Sequence, residues 1–330
     1  MRRADRGANM RRSMQHPAFP TVLARARRAS TGRHGLAWTI TAGVLCIDAV
    51  WLALAGWSVS GRGLAVLAMG LAACLAPLSV ARYRHDARIA ATTSFCALLL
   101  LFQAAAATLS YLVVSTNAAL HDAALHDWDR ALGFDWLALA AWLQGHALIQ
   151  ALLRVAYVSG LLQLVFVVLF LALSGRHQRL AEFMLLFIGA TLVTIAASGF
   201  FPAAGAWKFY ALASPDLSTL SHFEPLRDGR LRTIALETMQ GLISIPSLHA
   251  AMAVLLVYAV RGTRVVLPAF ALLDLAMLVS TPIAGSHYLV DVLAGVALAL
   301  ALVAIGRQRI VPTRVAAAIA PITHLGALQR

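Results

Sequence analysis

Apolar runs of roughly 18 residues or more recur along this 330-residue chain, and no other feature restricts its fold so strongly. They fall at about 36–57, 63–81, 92–114, 147–173, 181–201, 245–260, 265–282 and 287–305. Backbone inside lipid has no water to bond, so runs of this length must satisfy their own amides as helices. The expected fold is all-α: a polytopic integral membrane bundle of about eight transmembrane helices over residues 36–306. Basic tails flank it at 1–35 and 307–330. A pair of soluble domains would fit the length, but 60% hydrophobic and 12% charged content excludes it.

The net charge of +13 could point to nucleic acid, so its distribution matters more than its size. Lys208 is the sole lysine, and the arginines sit in short clusters between apolar runs, as topology signals do. With the N-terminus inside, twenty of the 27 basic residues fall on one side, which puts both termini in the cytoplasm. His249, His287 and the long 202–244 loop then share the outer face. No nucleic-acid partner is expected. The tail carries nine arginines over 1–35 and lacks the close apolar core of a signal peptide. It reads as a disordered cytoplasmic tail able to touch anionic head groups, with an organelle transit peptide as the other reading. Cys46, Cys74 and Cys96 lie inside apolar runs and read as packing residues, not as disulfide or metal ligands. The segment 117–146, with HDWDRALGFDW, reads as an interfacial helix anchored by Trp128, Phe134 and Trp136. A loop as long as 202–244 is commonly either functional or disordered, and its place between two spans that flank the histidines favours the first.

The chemistry concentrates between Gly241 and Gly295. His249 and His287 stand at ends of apolar segments, and Asp291 follows His287 by one helical turn. A carboxylate there can accept the Nδ1 proton and leave Nε2 free to attack or to take a proton. Two apolar runs joined by Arg261-Gly-Thr-Arg264 separate the histidines, so the chain crosses, returns and brings both to one face. Pro246 suits the first turn of a helix, where its missing N–H costs nothing, and the free amides of that turn, with the Ser247 hydroxyl, can face an anion. Sixteen residues of helix cover about 24 Å against about 30 Å of hydrocarbon, so His249 is expected slightly below head-group level.

Pro246-Ser247-Leu248-His249 and the stretch from Ser280 through His287 to Asp291 resemble two motifs of the type 2 phosphatidic acid phosphatase superfamily. Leu248 stands where many members have glycine, and Thr281 where the family usually has arginine. Ser280-Thr281 with His-Tyr-x-x-Asp after it is similar to the inositol phosphorylceramide synthase branch, which transfers a phosphoryl-linked head group between lipids. The resemblance implies a catalytic core over about 147–306, with no metal or other cofactor. It makes His287 the nucleophile that forms a phosphohistidine, Asp291 its orienting carboxylate, and His249 the acid and then the base. It also implies that Ser247 and Ser280 contact the phosphate. The family's first motif, a lysine followed by Arg-Pro, is absent in recognisable form. Cations must nevertheless meet the phosphate. Lys208, Arg227, Arg230 and Arg232 are the candidates on the outer loop, Arg227 foremost because Asp228-Gly229 signals a turn after it. Arg154 is next. The expected substrate is a membrane lipid phosphate, either hydrolysed or transferred.

Two rival classes remain open at this stage. A transporter would use Asp48 and Asp274, carboxylates placed mid-run where they are expensive. Their other reading is helix–helix hydrogen bonding, as for Gln103 and Gln163. A vanadate-dependent haloperoxidase shares the family's site, but the membrane spans and the missing arginine argue against it.

Overall fold

A computed structural model describes residues 19–212 and 221–308, with side chains from residue 31 onward. The first helix, α1 (Phe19–Ala55), begins inside the stretch expected as a tail, so residues 19–35 are helical. Residues 1–18, and the tail from 309 to 330, lie outside the described residues. A two-residue strand β1 (Ser58–Val59) leads into α2 (Gly61–Leu75), whose first turn is capped by the Ser60 hydroxyl accepting from the Gly63 amide at 2.9 Å. After a 3-10 turn come α3 (Ala81–Arg84) and α4 (Ala87–Val114), the latter capped by Asp86.

The segment expected as one interfacial helix is two: α5 (Asp122–Ala131) and α6 (Trp136–Gln144). Gly133, at φ 76°, turns the chain between them, and Asp135 caps α6 through the Ala138 amide. Of the three expected anchors only Trp128 is exposed. Trp136 is buried under Trp207 and Tyr210, and its indole N–H bonds to the carbonyls of Pro282 and His287. A buried indole needs such partners, and here they fix it as a brace for the 282–288 turn instead of an interfacial anchor. Phe134 packs half-buried against the same aromatic cluster.

The long helices α7 (Ala147–Leu173) and α8 (His177–Phe200) follow. The loop beyond them holds two short helices, α9 (Ala206–Phe209) and α10 (Phe223–Arg227). It also holds strand β2 (Thr233–Ile234), which pairs in parallel with β1 and ties this loop to the α1–α2 turn. The chain ends in α11 (Leu248–Ala259), α12 (Val266–Ala284) and α13 (Leu289–Gln308).

Among the described residues seven helices are long and apolar enough to cross a membrane, where eight were expected. The difference lies at 245–260, where α11 has only 12 residues. At 1.5 Å per residue it covers about 18 Å. It is enclosed by α7, α8, α12 and α13, with Ala250, Ala251, Leu255, Leu256 and Ala259 at or near zero exposure. Protein, not lipid, surrounds its ends, so non-helical backbone at that depth is tolerated. The main core lies between α4, α7, α8 and α11, around Phe102, Phe183, Phe187 and Leu255. Leu148, Leu152, Val155 and Leu162 of α7 and Leu272, Leu275 and Val279 of α12 turn outward as apolar faces. The molecule is an integral membrane protein, and those faces meet lipid.

Candidate active site

His249 enters the site from the first turn of α11. Its helix starts at Leu248 with Ser247 as N-cap, so Pro246 precedes the cap and does not occupy the first turn as expected. The reason is local: the Ser247 side chain accepts from the Ala250 amide at 3.4 Å, and a cap that bonds forward fixes the helix start one residue after itself. The Ser247 amide donates to the Asp291 carbonyl at 2.9 Å, which holds the top of α11 against the top of α13. That approach depends on Gly295. A Cβ there would lie 2.2 Å from the Ser247 carbonyl oxygen, closer than atoms can stand.

His287 sits in the turn between α12 and α13 and is buried, as is Asp291 in the first turn of α13. The imidazole is held from both nitrogens. Nδ1 lies 3.3 Å from Asp291 Oδ2, and Nε2 lies 3.3 Å from the Ser247 hydroxyl. The same carboxylate oxygen accepts from the Ser244 hydroxyl at 2.6 Å and from the Tyr288 amide at 3.0 Å. Tyr157 of α7 stacks on the His249 ring at 4.1 Å, and Gly285 stands beside both Tyr157 and His287. A Cβ at 285 would come within 2.7 Å of both the His287 ring and the Tyr157 hydroxyl.

A cavity of about 160 Å³ opens beside these groups, lined among others by Gly205, Phe223, Ser244, His249, Gly285 and Ser286. Its far wall is held by acids from α5. Asp122, buried, accepts from the amides of Ala204 and Gly205 and from the Tyr288 hydroxyl, all at 2.9 Å. Asp129, one heptad on and therefore on the same face, accepts from the Leu289 and Val290 amides and so caps α13. Ser286, at φ 60°, accepts from Ala206 through its carbonyl and from Trp207 through its hydroxyl. Three loops far apart in sequence are thereby locked around one pair of histidines.

The family model described as PAP2 superfamily matches residues 123–305, more than half of the chain. The chain belongs to the PAP2 superfamily. No curated protein and no solved structure matches it. The matched region begins within α5 and ends within α13, so it takes in both histidines, Asp291 and Asp129. The superfamily is one of membrane phosphatases and phosphotransferases, and this chain is a membrane-embedded member of it.

The structure distributes the other sequence-derived residues unevenly. Ser280 and Thr281 are fully buried in α12 and both donate to the Met277 carbonyl at 2.7 Å, so neither hydroxyl lines the cavity. Hydroxyls one turn along a helix satisfy themselves on the preceding carbonyl, which the sequence pattern alone does not reveal. Lys208 and Arg227 stand behind Phe223, which lines the cavity while they do not, the ammonium 5.1 Å and the guanidinium 5.5 Å from the ring centre. Lys208 pairs with Glu224, and Arg227 donates to the Ala118 carbonyl at 2.8 Å. Burial and the nearby Arg227 charge hold the Lys208 ammonium below the ordinary lysine range, against the pull of Asp122. Arg230 is turned to Asp228 at 2.6 Å and exposed, and Arg232 donates to the Gly229 carbonyl. The turn expected at Asp228-Gly229 is present, with Gly229 at φ 74°. Asp48 and Asp274 are buried in α1 and α12, and neither lines this cavity.

Sequence reading missed Tyr157, Ser244, Asp122 and Asp129. The two acids carried a usable signal, a seven-residue spacing on an amphipathic helix beside the motif region. Tyr157 and Ser244 carried none, since each meets its partner only through the fold.

Proposed function

We propose that this protein is a membrane enzyme that moves a phosphoryl or phosphoryl-linked group on lipids through a phosphohistidine at His287. One observation carries the reading: a buried imidazole gripped at Nδ1 by a carboxylate, with its Nε2 facing the N-cap of a helix whose first turn carries a second histidine, His249. Nε2 attacks phosphorus while Nδ1 keeps its proton toward Asp291, which stabilises the cationic ring. His249 gives a proton to the departing alcohol oxygen, then takes one from the incoming water or lipid alcohol as the P–N bond breaks. The Ser247 hydroxyl, the free amides of α11 and the cations Lys208 and Arg227 meet the equatorial oxygens. Arg230 adds longer-range positive charge, and Ser280 acts by holding α12 in place. No step needs a metal or other cofactor.

The positive-inside distribution supports a site on the outer face with both termini in the cytoplasm. The Ser280-Thr281 departure favours transfer of a head group over hydrolysis, toward the inositol phosphorylceramide synthase branch. The test is turnover of labelled lipid phosphates by purified protein, with and without alcohol acceptors. His287→Ala and His249→Ala should each abolish it while membrane insertion is kept, and the wild type should trap a labelled, acid-labile phosphohistidine. Full activity in His287→Ala would end the proposal.

A further inference from the structure

At the end of the bundle away from the histidines, four guanidiniums gather and one carboxylate answers them. Arg261, in the α11–α12 turn, pairs with Glu182 of α8 at 2.7 Å and lies over Tyr258, its Cζ 3.8 Å from the ring centre. Arg307, in the last turn of α13, covers the same ring at 5.2 Å. Arg179 of α8 donates to the Arg261 carbonyl, and Arg176, three residues earlier at the N-cap of α8, stands over Phe170 at 5.5 Å. Carbonyls and rings orient these groups without neutralising them. Among the described residues Glu182 is the one acid that pairs with any of the four. Arg176 Nη1 is buried with no hydrogen-bond partner among the described residues, and a buried charged donor costs stability until an acceptor meets it. Residues 309–330 add three arginines and no acid, so that stretch does not supply the missing charge.

We propose that this cluster holds the phosphate of an anionic phospholipid from the leaflet at that end of the bundle. The level fits: α8 begins at His177, α11 ends at Ala259 and α13 ends at Gln308, so the arginines stand where the helices leave hydrocarbon. Large apolar side chains flank them and are at least half exposed: Leu173 three residues before Arg176, Val265 four after Arg261, and Ile305 two before Arg307. A phospholipid answers both features at once, with its phosphate on the guanidiniums and its acyl chains along these side chains. A soluble anion answers only the first. Each guanidinium fork can hold two phosphate oxygens, and Arg176 Nη1 has a donor to give. No residue of the cluster lines the histidine cavity, so the site is independent of the phosphohistidine reading.

The test measures binding of fluorescent phosphatidylglycerol and fluorescent phosphatidylcholine to the detergent-solubilised full chain, with glycerol phosphate as soluble competitor. Wild type should prefer phosphatidylglycerol at least tenfold, and added salt should weaken that preference. Arg176→Gln with Arg307→Gln, which together leave the Arg261–Glu182 pair intact, should abolish it. Arg130→Gln, on α5 at the histidine end, should leave it unchanged. Melting in lipid-free detergent shows whether the double variant is folded. If it is not, Arg307→Gln alone, at an exposed side chain, should lower the preference at least threefold. Equal affinity for the two lipids, a preference that the arginine variants keep, or an equal loss in Arg130→Gln overturns the proposal. Displacement of the lipid by glycerol phosphate at matched concentration also overturns it, by making the ligand a soluble anion.

Discussion

Asp291 gathers three donors on one oxygen, from His287, Ser244 and Tyr288, while its other oxygen has no partner among the described residues. Hydrogen bonds to a charged group are worth about 1.5–3 kcal/mol each. Asp291→Asn retains an oxygen but loses the charge that steadies a protonated ring, so kcat should fall roughly ten- to a hundredfold with KM little changed. Ser244→Ala removes one donor of three and should cost about tenfold or less. A Ser244→Ala variant slower than Asp291→Asn would show that the hydroxyl has a direct role in the chemistry. Arg227→Ala should lower kcat as well as raise KM, with Arg227→Lys intermediate, because one point charge cannot copy a planar fork. Its bond to the Ala118 carbonyl also braces the loop, so thermal stability must be measured beside the kinetics. Arg232→Ala should be milder. At this scale the sequence was readable where partners are a helical turn apart, as His287 and Asp291 are. It was silent where a partner arrives from another element, as Ser244 and Tyr157 do.

The element that most repays attention is α5. It was legible as amphipathic and interfacial, but no role was read for its acids, and they clamp two loops. Asp129→Ala leaves the Leu289 and Val290 amides without their acceptor and should destabilise the protein by about 1–3 kcal/mol. Calorimetry or denaturant titration in detergent measures it, and an unchanged midpoint would show the cap to be dispensable. The top of α11 gives a sharper case. Gly295→Ala forces a methyl against the Ser247 carbonyl, and overpacking of this kind costs about 1–3 kcal/mol. Because Ser247 N–H is bonded to Asp291, the shift should also misplace His287 and lower turnover beyond what the stability loss explains. Helix existence was plain in the sequence from apolar run length. Helix depth was not, since nothing in residues 245–260 says that neighbours will enclose a piece only 12 residues long.

Across the whole molecule, the proposed sidedness rests on the distribution of arginines and can be checked without reference to catalysis. Ala131→Cys, at the exposed end of α5 and in a background lacking Cys46, Cys74 and Cys96, should react with an impermeant thiol reagent in intact cells. Labelling only after permeabilisation would invert the topology and move the site to the cytoplasm. At the opposite end of the bundle, Arg261 and Arg307 gather on the Tyr258 ring, and Glu182 bonds both Arg261 and the Tyr258 hydroxyl, which concentrates positive charge at the base of α11. The histidine motif and this basic cluster are thus separated by the length of one short helix. Ser247, at the top of α11, is bonded to Asp291 in the first turn of α13, so the short helix is hung from the same end of the bundle that carries His287. Whatever length α11 lacks is therefore made up at its other end, by the Arg261–Glu182 pair and the turn into α12.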